Sequence, residues 1–182
     1  RNEPDMETLL LTPVWRYLGF KELLRMVLRN QSVTVAPHKD IDAMIKTLQQ
    51  RRITYVILKS SILSNIIYHE SFRTEYFSSV RVLRYCQEPM PMETLIQMQA
   101  LYPDLQFYSD YGLTETAGTI GVMGPEIHQN AGVCHHIPTT GSFLECVEVA
   151  LKDESGKEVS GAEVGELYIH VPYQCQNYLG GD

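Results

Sequence analysis

The segment Ile53-Thr54-Tyr55-Val56-Ile57-Leu58 decides the fold class of this 182-residue chain. It is apolar and rich in β-branched residues, and its polar and apolar positions do not alternate. That pattern is typical of a strand buried on both faces, as in a parallel sheet covered by helices. The segment therefore predicts a central strand of an α/β domain.

The sequence on both sides of this strand alternates between extended and helical patterns. Short β-rich segments predict further strands at residues 32–35, 80–85 and 105–108. Apolar residues at helical spacing predict helices within residues 20–30, 40–48, 60–67 and 91–101. The expected helix starts are an Asp40 cap, a Ser60 or Ser61 cap, and Pro91 in a first turn. This order predicts a parallel sheet flanked by helices, with ligands bound at one sheet edge.

The character of the chain changes after about residue 117, where glycines become frequent. Alternating patterns predict two strands, at residues 147–151 and 166–171, with a polar turn at 152–157 between them. We therefore divide the chain into an α/β part, residues 1–117, and a smaller β-rich antiparallel part, residues 118–182. Both parts are expected to belong to one large domain.

Composition excludes several classes of function. Lys plus Arg number 15 against 22 Asp plus Glu, which gives a net charge of −7. An acidic chain without a basic cluster is not expected to bind nucleic acid. No apolar run approaches the ~20 residues of a transmembrane helix. The four cysteines form no Cys-x-x-Cys pair, so reduced thiols inside a cell are expected, and a metal site at Cys134-His135-His136 is disfavoured.

The strongest chemical signal is the stretch from Tyr108 to Gly118, directly after a predicted parallel strand. It offers aromatic rings for a flat ligand, glycines for close approach, and threonine hydroxyls for an anion. Its one glutamate, Glu115, can hold a hard cation such as Mg²⁺. The stretch fits a nucleotide-phosphate and metal site. The alternative is a glycine-containing turn with its Thr and Glu side chains in water.

Within this stretch, Tyr111-Gly112-Leu113-Thr114-Glu115 resembles the Tyr-Gly-x-Thr-Glu motif of the adenylate-forming superfamily. That family includes acyl-CoA synthetases, 4-coumarate–CoA ligases, luciferases and the adenylation domains of peptide synthetases. Further stretches resemble family elements in the same order, at residues 12–19, 82–95, 141–149, 165–169 and 177–179. The resemblance therefore covers nearly the whole chain.

The resemblance implies ligation of a small-molecule carboxylate, a fatty or aromatic acid, to coenzyme A. ATP and Mg²⁺ would first form an acyl-adenylate. By motif match, Tyr111 would stack on adenine and Gly112 would let the substrate approach the backbone. Thr114 would bind phosphate, Glu115 would ligate Mg²⁺, and Thr114 and Glu115 together would be the catalytic pair. Two further residues, Gln87 and Glu88, stand in the family's adenine and acyl loop and are expected at the nucleotide.

The chain also departs from the family pattern. Arg16 stands where the family usually has His, Cys86-Gln87-Glu88 replaces Gly-Gly-Ala, and Asp110 and Asn177 replace glycines. Glu88 must find a partner, reach water or take up a proton. The family's phosphate loop, ribose-binding Asp and C-terminal Lys have no counterpart, which predicts a middle piece of a longer ligase, inactive alone.

Two other functions remain open at this point. A pocket whose residues depart from the family pattern also fits a non-catalytic paralogue that binds a nucleotide or an acyl group. A third possibility is a structural segment that binds no ligand. The identity of the acid is not predicted. The family resemblance implies an intracellular protein of the peroxisome or cytoplasm, with a role in fatty acid metabolism as one expectation.

Overall fold

A computed structural model describes residues 6–37, 39–134, 139–161 and 163–180. Within these ranges the α-helices are α1 (Tyr17–Leu28), α2 (Ile41–Gln50), α3 (Ser60–Ile67), α4 (Met92–Leu101) and α5 (Pro125–Cys134). The strands are β1 (Glu7–Leu10), β2 (Ser32–Val35), β3 (Tyr55–Lys59), β4 (Val82–Cys86), β5 (Gln106–Leu113), β6 (Gly118–Met123), β7 (Ser142–Phe143), β8 (Glu148–Lys152) and β9 (Glu166–His170). A short 3-10 helix covers Thr74–Phe77.

The main sheet has seven strands in the order β2-β1-β3-β4-β5-β6-β7. The pairs from β2 to β5 are parallel, whereas β6 and β7 run antiparallel to their neighbours. The predicted α/β class with a parallel sheet flanked by helices is therefore confirmed. The sequence patterns missed β1, because its four residues include one β-branched residue, whereas the equally short β2 has three.

The two faces of β3 are buried against different helices, as its unbroken apolar pattern predicted. Val56 and Leu58 join the large core with α2, α3 and α4, and Tyr55 and Ile57 join a smaller core with α1. Successive residues of a strand point to opposite faces, so β3 contributes side chains to both hydrophobic cores. Within the described residues, none of the helices combines the length and apolar character needed to cross a membrane.

The helix starts follow the sequence predictions in one case and differ in two. Asp40 caps α2, its carboxylate accepting a hydrogen bond from the backbone N–H of Ala43 at 2.9 Å. Neither serine caps α3: Lys59 is the N-cap residue, and the Ser60 hydroxyl instead donates to the Pro89 carbonyl at 2.7 Å. Pro91 precedes α4 as its N-cap residue and does not lie in the first turn.

The second part of the chain contains the predicted antiparallel strands and one helix that was not predicted. Strands β8 and β9 pair as a separate two-stranded antiparallel sheet, with Val149 opposite Ile169. Strands β6 and β7 extend the main sheet, and α5 packs against β5. Residue 117 falls in the turn between β5 and β6, and the division into two parts at this point stays a prediction.

Candidate functional site

The Tyr108–Gly118 stretch forms a hairpin, which corrects the prediction that a short strand gives way to a loop at Tyr108. Strand β5 pairs with β4 as far as Asp110 and with β6 from Ser109 to Leu113, so its backbone stays extended to Leu113. The Thr116 hydroxyl closes the turn, accepting from the Leu113 N–H at 3.1 Å. Because Thr116 is buried, its role is to hold the hairpin together.

Gly112 lies where β5 and β6 approach each other most closely. A Cβ atom on this residue would lie 1.9 Å from the carbonyl oxygen of Gly118, far inside contact distance. The close approach of β6 therefore accounts for the glycine on structural grounds. The role toward the substrate that the resemblance implies for Gly112 stays a prediction.

Helix α1 is tied to the turn of this hairpin by two polar contacts. The Tyr17 hydroxyl donates a hydrogen bond to the Ala117 carbonyl, and Lys21 Nζ donates to Thr119 Oγ1 at 3.2 Å. These contacts fix the start of α1 beside the carboxyl ends of β4 and β5. Helix α1 therefore stabilises the position of the turn between β5 and β6.

The first cavity lies between the start of α1 and the carboxyl ends of β4 and β5. Its volume is about 740 Å³. Trp15 and Tyr17 contribute to one wall, and Cys86, Asp110 and Thr114 contribute from the strands and turn. Trp15 and Tyr17 are thus wall residues, and Trp15 is 72% exposed.

The second cavity lies along β5 beside the segment that joins β4 to α4, and its volume is about 910 Å³. Tyr111, Glu88 and Met90 are among its lining residues. The ring of Tyr111 stands edge-on to Phe143 of β7, with ring centroids 6.4 Å apart. Both cavities share Gln87, Asp110, Gly112 and Leu113 as lining residues.

The hairpin and the β4–α4 segment bring most of the predicted site residues together. Tyr111 and Glu88 line the second cavity, Thr114 lines the first, and Gln87 and Gly112 line both. Gln87 adopts a positive φ of 75°, which turns the chain sharply at the end of β4. Five of the residues that the family resemblance singled out therefore line these cavities, and their roles toward ligands stay predictions.

Glu115 is the exception, because it lines neither cavity. It lies exposed in the β5–β6 turn, where its Oε1 accepts a 2.5 Å hydrogen bond from the Tyr178 hydroxyl. That bond lowers the pKa of the Glu115 carboxyl, which favours the ionised form that a cation needs. The backbone N–H of Cys175 donates to the Glu115 carbonyl at 2.7 Å, so residues 175–178 lie against the turn.

Glu88 has a hydrogen-bond partner, which is one of the three alternatives that the sequence left open. Its Oε1 accepts a 2.7 Å hydrogen bond from the backbone N–H of Ser61, in the first turn of α3. Partial burial acts to raise the pKa of Glu88, but the Ser61 hydrogen bond and the charge of Lys59 outweigh it, so the pKa is lowered. The carboxylate therefore stays ionised at a helix N-terminus, where a negative charge is favoured.

The sequence analysis missed an ion pair between Arg84 of β4 and Asp110 of β5. Arg84 Nη2 lies 2.8 Å from Asp110 Oδ1, and their side chains are 25% and 8% exposed. Arg84 also donates to the Tyr55 hydroxyl at 3.3 Å and lies over the Tyr108 ring. Burial raises the pKa of Asp110, against the opposing effect of the Arg84 charge. The sequence did offer a signal for this pair: it places opposite charges on two neighbouring strands. A charged side chain that is buried there needs a partner of opposite charge.

Metal-binding residues are sparse in this region. Across the described ranges no group of three or more His, Cys, Asp or Glu side chains gathers to hold a metal ion. A single carboxylate such as Glu115 suits Mg²⁺ that arrives with substrate phosphates. At the other candidate, Cys134 ends α5, while His135 and His136 lie outside the described residues.

Comparison with known proteins gives consistent relatives. A 4-coumarate–CoA ligase-like 6 protein of Oryza sativa subsp. japonica is 25% identical over 97% of this chain and 29% of its own length. A feruloyl-CoA synthase of Amycolatopsis sp is 28% identical over 81% of the chain and 29% of its own length. The chain thus spans about three tenths of the length of the curated relatives it matches.

The fold comparison agrees with the sequence comparison. The structure of o-succinylbenzoate CoA synthetase from Bacillus subtilis, in complex with ATP and magnesium ion, superposes with a TM-score of 0.77 at 17% identity. The match covers 98% of this chain and 36% of that protein. The family model described as AMP-binding enzyme matches residues 1–179. The chain therefore belongs to the AMP-binding, or adenylate-forming, enzyme family that its motifs predicted.

Proposed function

We propose that the protein containing this chain is an ATP-dependent acid–CoA ligase that acts through an acyl-adenylate. The observation that carries this proposal is the pair of cavities on the Tyr111–Glu115 hairpin, which share four lining residues. Two reactants bound on either side of one strand are held close together without sharing a single pocket. Such positioning supplies much of the rate in a reaction between two bound substrates.

The second cavity suits the nucleotide. Tyr111 offers an aromatic face for adenine, and Gln87 and Glu88 lie on the adjoining segment. Thr114 lies in the hairpin turn and lines the first cavity, so its hydroxyl would meet the phosphates where they approach the acid. The exposed Glu115 carboxylate offers a ligand to Mg²⁺. When bound, Mg²⁺ neutralises charge on the phosphates. For Glu115 to act, the Tyr178 hydroxyl must share or release its carboxylate.

The first cavity suits the carboxylic acid. Trp15 and Tyr17 present aromatic surface, and Arg16 stands at the position where the family has His. Fatty and aromatic acids both fit this surface chemically, and a relative named feruloyl-CoA synthase supports an aromatic acid. Coenzyme A as acceptor rests on the relatives' names, and location in peroxisome or cytoplasm and a role in fatty acid metabolism stay predictions.

The decisive experiment measures pyrophosphate release by the natural gene product, with ATP, Mg²⁺, and a panel of fatty and aromatic acids. We expect release with at least one acid, and a new thioester when coenzyme A is added. Nucleotide binding without release for any acid would instead support the non-catalytic paralogue. We expect the 182-residue chain alone to lack the complete reaction.

The role of Glu115 is tested in the same protein. The Glu115→Ala variant is expected to lose Mg²⁺-dependent nucleotide binding, measured by calorimetry with and without Mg²⁺. Glu154→Ala is the matched control, because Glu154 is an exposed glutamate in the turn between β8 and β9, away from both cavities. Unchanged binding in Glu115→Ala would remove Glu115 from the metal site.

A further inference from the structure

We propose that Asp110, held by Arg84 at the floor of the first cavity, selects acids that carry a hydrogen-bond donor, a hydroxyl or amino group, on the part entering that cavity. This inference rests on the proposed ligase function and names its substrate class. Asp110 is a specificity-determining residue in this proposal, and Arg84 is the residue that positions it.

The first step is the incomplete pairing of the Asp110 carboxylate. Its Oδ1 is fully buried and has the ion-pair contact with Arg84 as its partner among the described residues. No described residue donates a hydrogen bond to Oδ2. A carboxylate offers about four lone-pair positions, so the described protein groups engage only part of this acceptor capacity. Asp110 lines both cavities, which places the unused capacity where a ligand binds.

The second step is that the fold does not require this pair. Buried ion pairs replaced by apolar side chains of similar volume often leave stability unchanged or improve it. Strands β4 and β5 are already joined by parallel pairing from Val82 with Gln106 to Cys86 with Asp110. A charged pair at a cavity wall is therefore better explained by a ligand than by the sheet.

The third step is the chemistry that this wall favours. Arg84 neutralises Asp110, so the cavity floor presents an acceptor without net charge. A hydroxyl or amino group on the substrate completes the pairing of the carboxylate. An acid lacking that group displaces water from the carboxylate and leaves it unpaired, which is costly. A site of this kind discriminates against the analogue without the donor more strongly than an apolar pocket does.

A competing reading comes from the cations around the same cavity. Arg16, Lys39 and Lys59 line it and would favour a substrate with a second negative group. That reading predicts a preference for dicarboxylates, whereas an Asp110 acceptor predicts a preference for uncharged donors. Measuring whether the protein prefers dicarboxylates or acids with an uncharged hydrogen-bond donor therefore distinguishes the two explanations.

The test uses matched acids with the natural gene product: 4-hydroxybenzoate against benzoate, and 12-hydroxydodecanoate against dodecanoate, with dodecanedioate as the dicarboxylate. Both kcat/KM for pyrophosphate release and the Kd of each acid by calorimetry are measured. We expect at least one hydroxylated acid to be preferred over its partner by about tenfold or more. Equal values within both pairs, or preference for the dicarboxylate, would overturn the proposal.

Variants then assign the preference to Asp110. The double variant Arg84→Gln with Asp110→Ala leaves no buried charge unpaired, and its preference for the hydroxylated acid should fall to about onefold. Asp110→Asn keeps an acceptor oxygen in the same place and should retain part of the preference. Asp104→Ala, at an exposed aspartate before β5, is the control and should keep the full preference. A full preference in the double variant would overturn the role of Asp110.

The outcomes also separate this inference from the proposed ligase function. Pyrophosphate release with every acid but no preference contradicts the role of Asp110 alone. A preference in Kd without any pyrophosphate release contradicts the ligase and keeps the selective cavity. If the double variant does not fold, Asp110→Asn and the wild-type ratios still decide, because the tenfold preference is required of the wild-type protein.

Discussion

The seven-stranded sheet and the β8–β9 hairpin are held in different ways. In the main sheet, β3 and β4 carry fully buried side chains such as Val56, Leu58 and Leu83. In the hairpin, Val149 is 44% exposed and Tyr168 46% exposed. A two-stranded hairpin on its own is marginally stable at best.

This difference matters for where the candidate site lies. No described residue of β8 or β9 lines either cavity, whereas β4 and β5 of the main sheet line both. Among the described residues beyond β9, Cys175 and Tyr178 contact Glu115 in the β5–β6 turn. Strands β4 and β5 of the main sheet therefore contribute to the walls of both cavities, and the β8–β9 hairpin leads to a segment that contacts the β5–β6 turn at Glu115.

The largest expected effect is a loss of stability when a fully buried side chain of the main sheet is shortened. Leu83→Ala removes a fully buried side chain from the central strand β4 and should lower the free energy of unfolding by about 2–5 kcal/mol. Val149→Ala in the hairpin should change it by about 0.5 kcal/mol. Urea unfolding of the natural protein measures both. Similar losses for the two variants would mean that the hairpin is as firmly packed as the sheet.

A smaller effect compares two glycines. Gly112→Ala places a Cβ against the β6 backbone and should destabilise the protein by about 1–3 kcal/mol, with distorted cavities. Gly156→Ala lies in the turn between β8 and β9, where the added Cβ meets no atom within 4 Å. The alanine must adopt a φ of 80°, which costs about 1–2 kcal/mol. Weakened acid or nucleotide binding should accompany only Gly112→Ala, as measured by calorimetry. Normal binding there would show that the sheet edge adapts.

The smallest expected effect is a pH dependence of the free energy of unfolding that comes from α5, the helix packed against β5 of the main sheet. His128 of α5 is fully buried; its Nδ1 donates to the Gly124 carbonyl at 2.7 Å, and its Nε2 accepts from the Tyr85 hydroxyl at 3.0 Å. Burial lowers the pKa of His128. The unfolded chain then binds the proton more tightly, so stability is complete above about pH 6.5 and falls as the pH drops toward the lowered value.

Urea midpoints at several pH values measure this effect. The decline below about pH 6.5 should be smaller in His128→Gln than in the wild type. His170→Gln, at an exposed histidine of β9, is the matched control and should decline as the wild type does. An identical decline in all three proteins would show that other groups set the acid limit of the sheet.

The elements of the main sheet were predictable where their pattern is long and regular. The apolar run around Val56 and the Asp40 cap identify a buried strand and a helix start directly from residue types. Strand β1 was missed because it carries one β-branched residue, whereas the equally short β2 carries three and was predicted. The start of α3 was mistaken because Ser60 finds its partner in Pro89, 29 residues away, and such a contact leaves no local sequence signal.

The candidate site was predictable to a similar degree. The motif identified Tyr111 and Thr114, and sheet topology explains why they meet Gln87 at one edge. The pairing of Arg84 with Asp110 depends on the register between two strands, which residue spacing does not determine. The same holds for Tyr178 and Glu115, which are 63 residues apart.

The two cavities share four lining residues, Gln87 just after β4 and Asp110, Gly112 and Leu113 on β5. A change that reshapes one compartment is therefore felt in the other. If the proposed assignment of acid and nucleotide to these cavities holds, a substitution among these four residues should alter the binding of both ligands. A laboratory search for new acid specificity would do better to vary Trp15, which lines the first cavity and not the second.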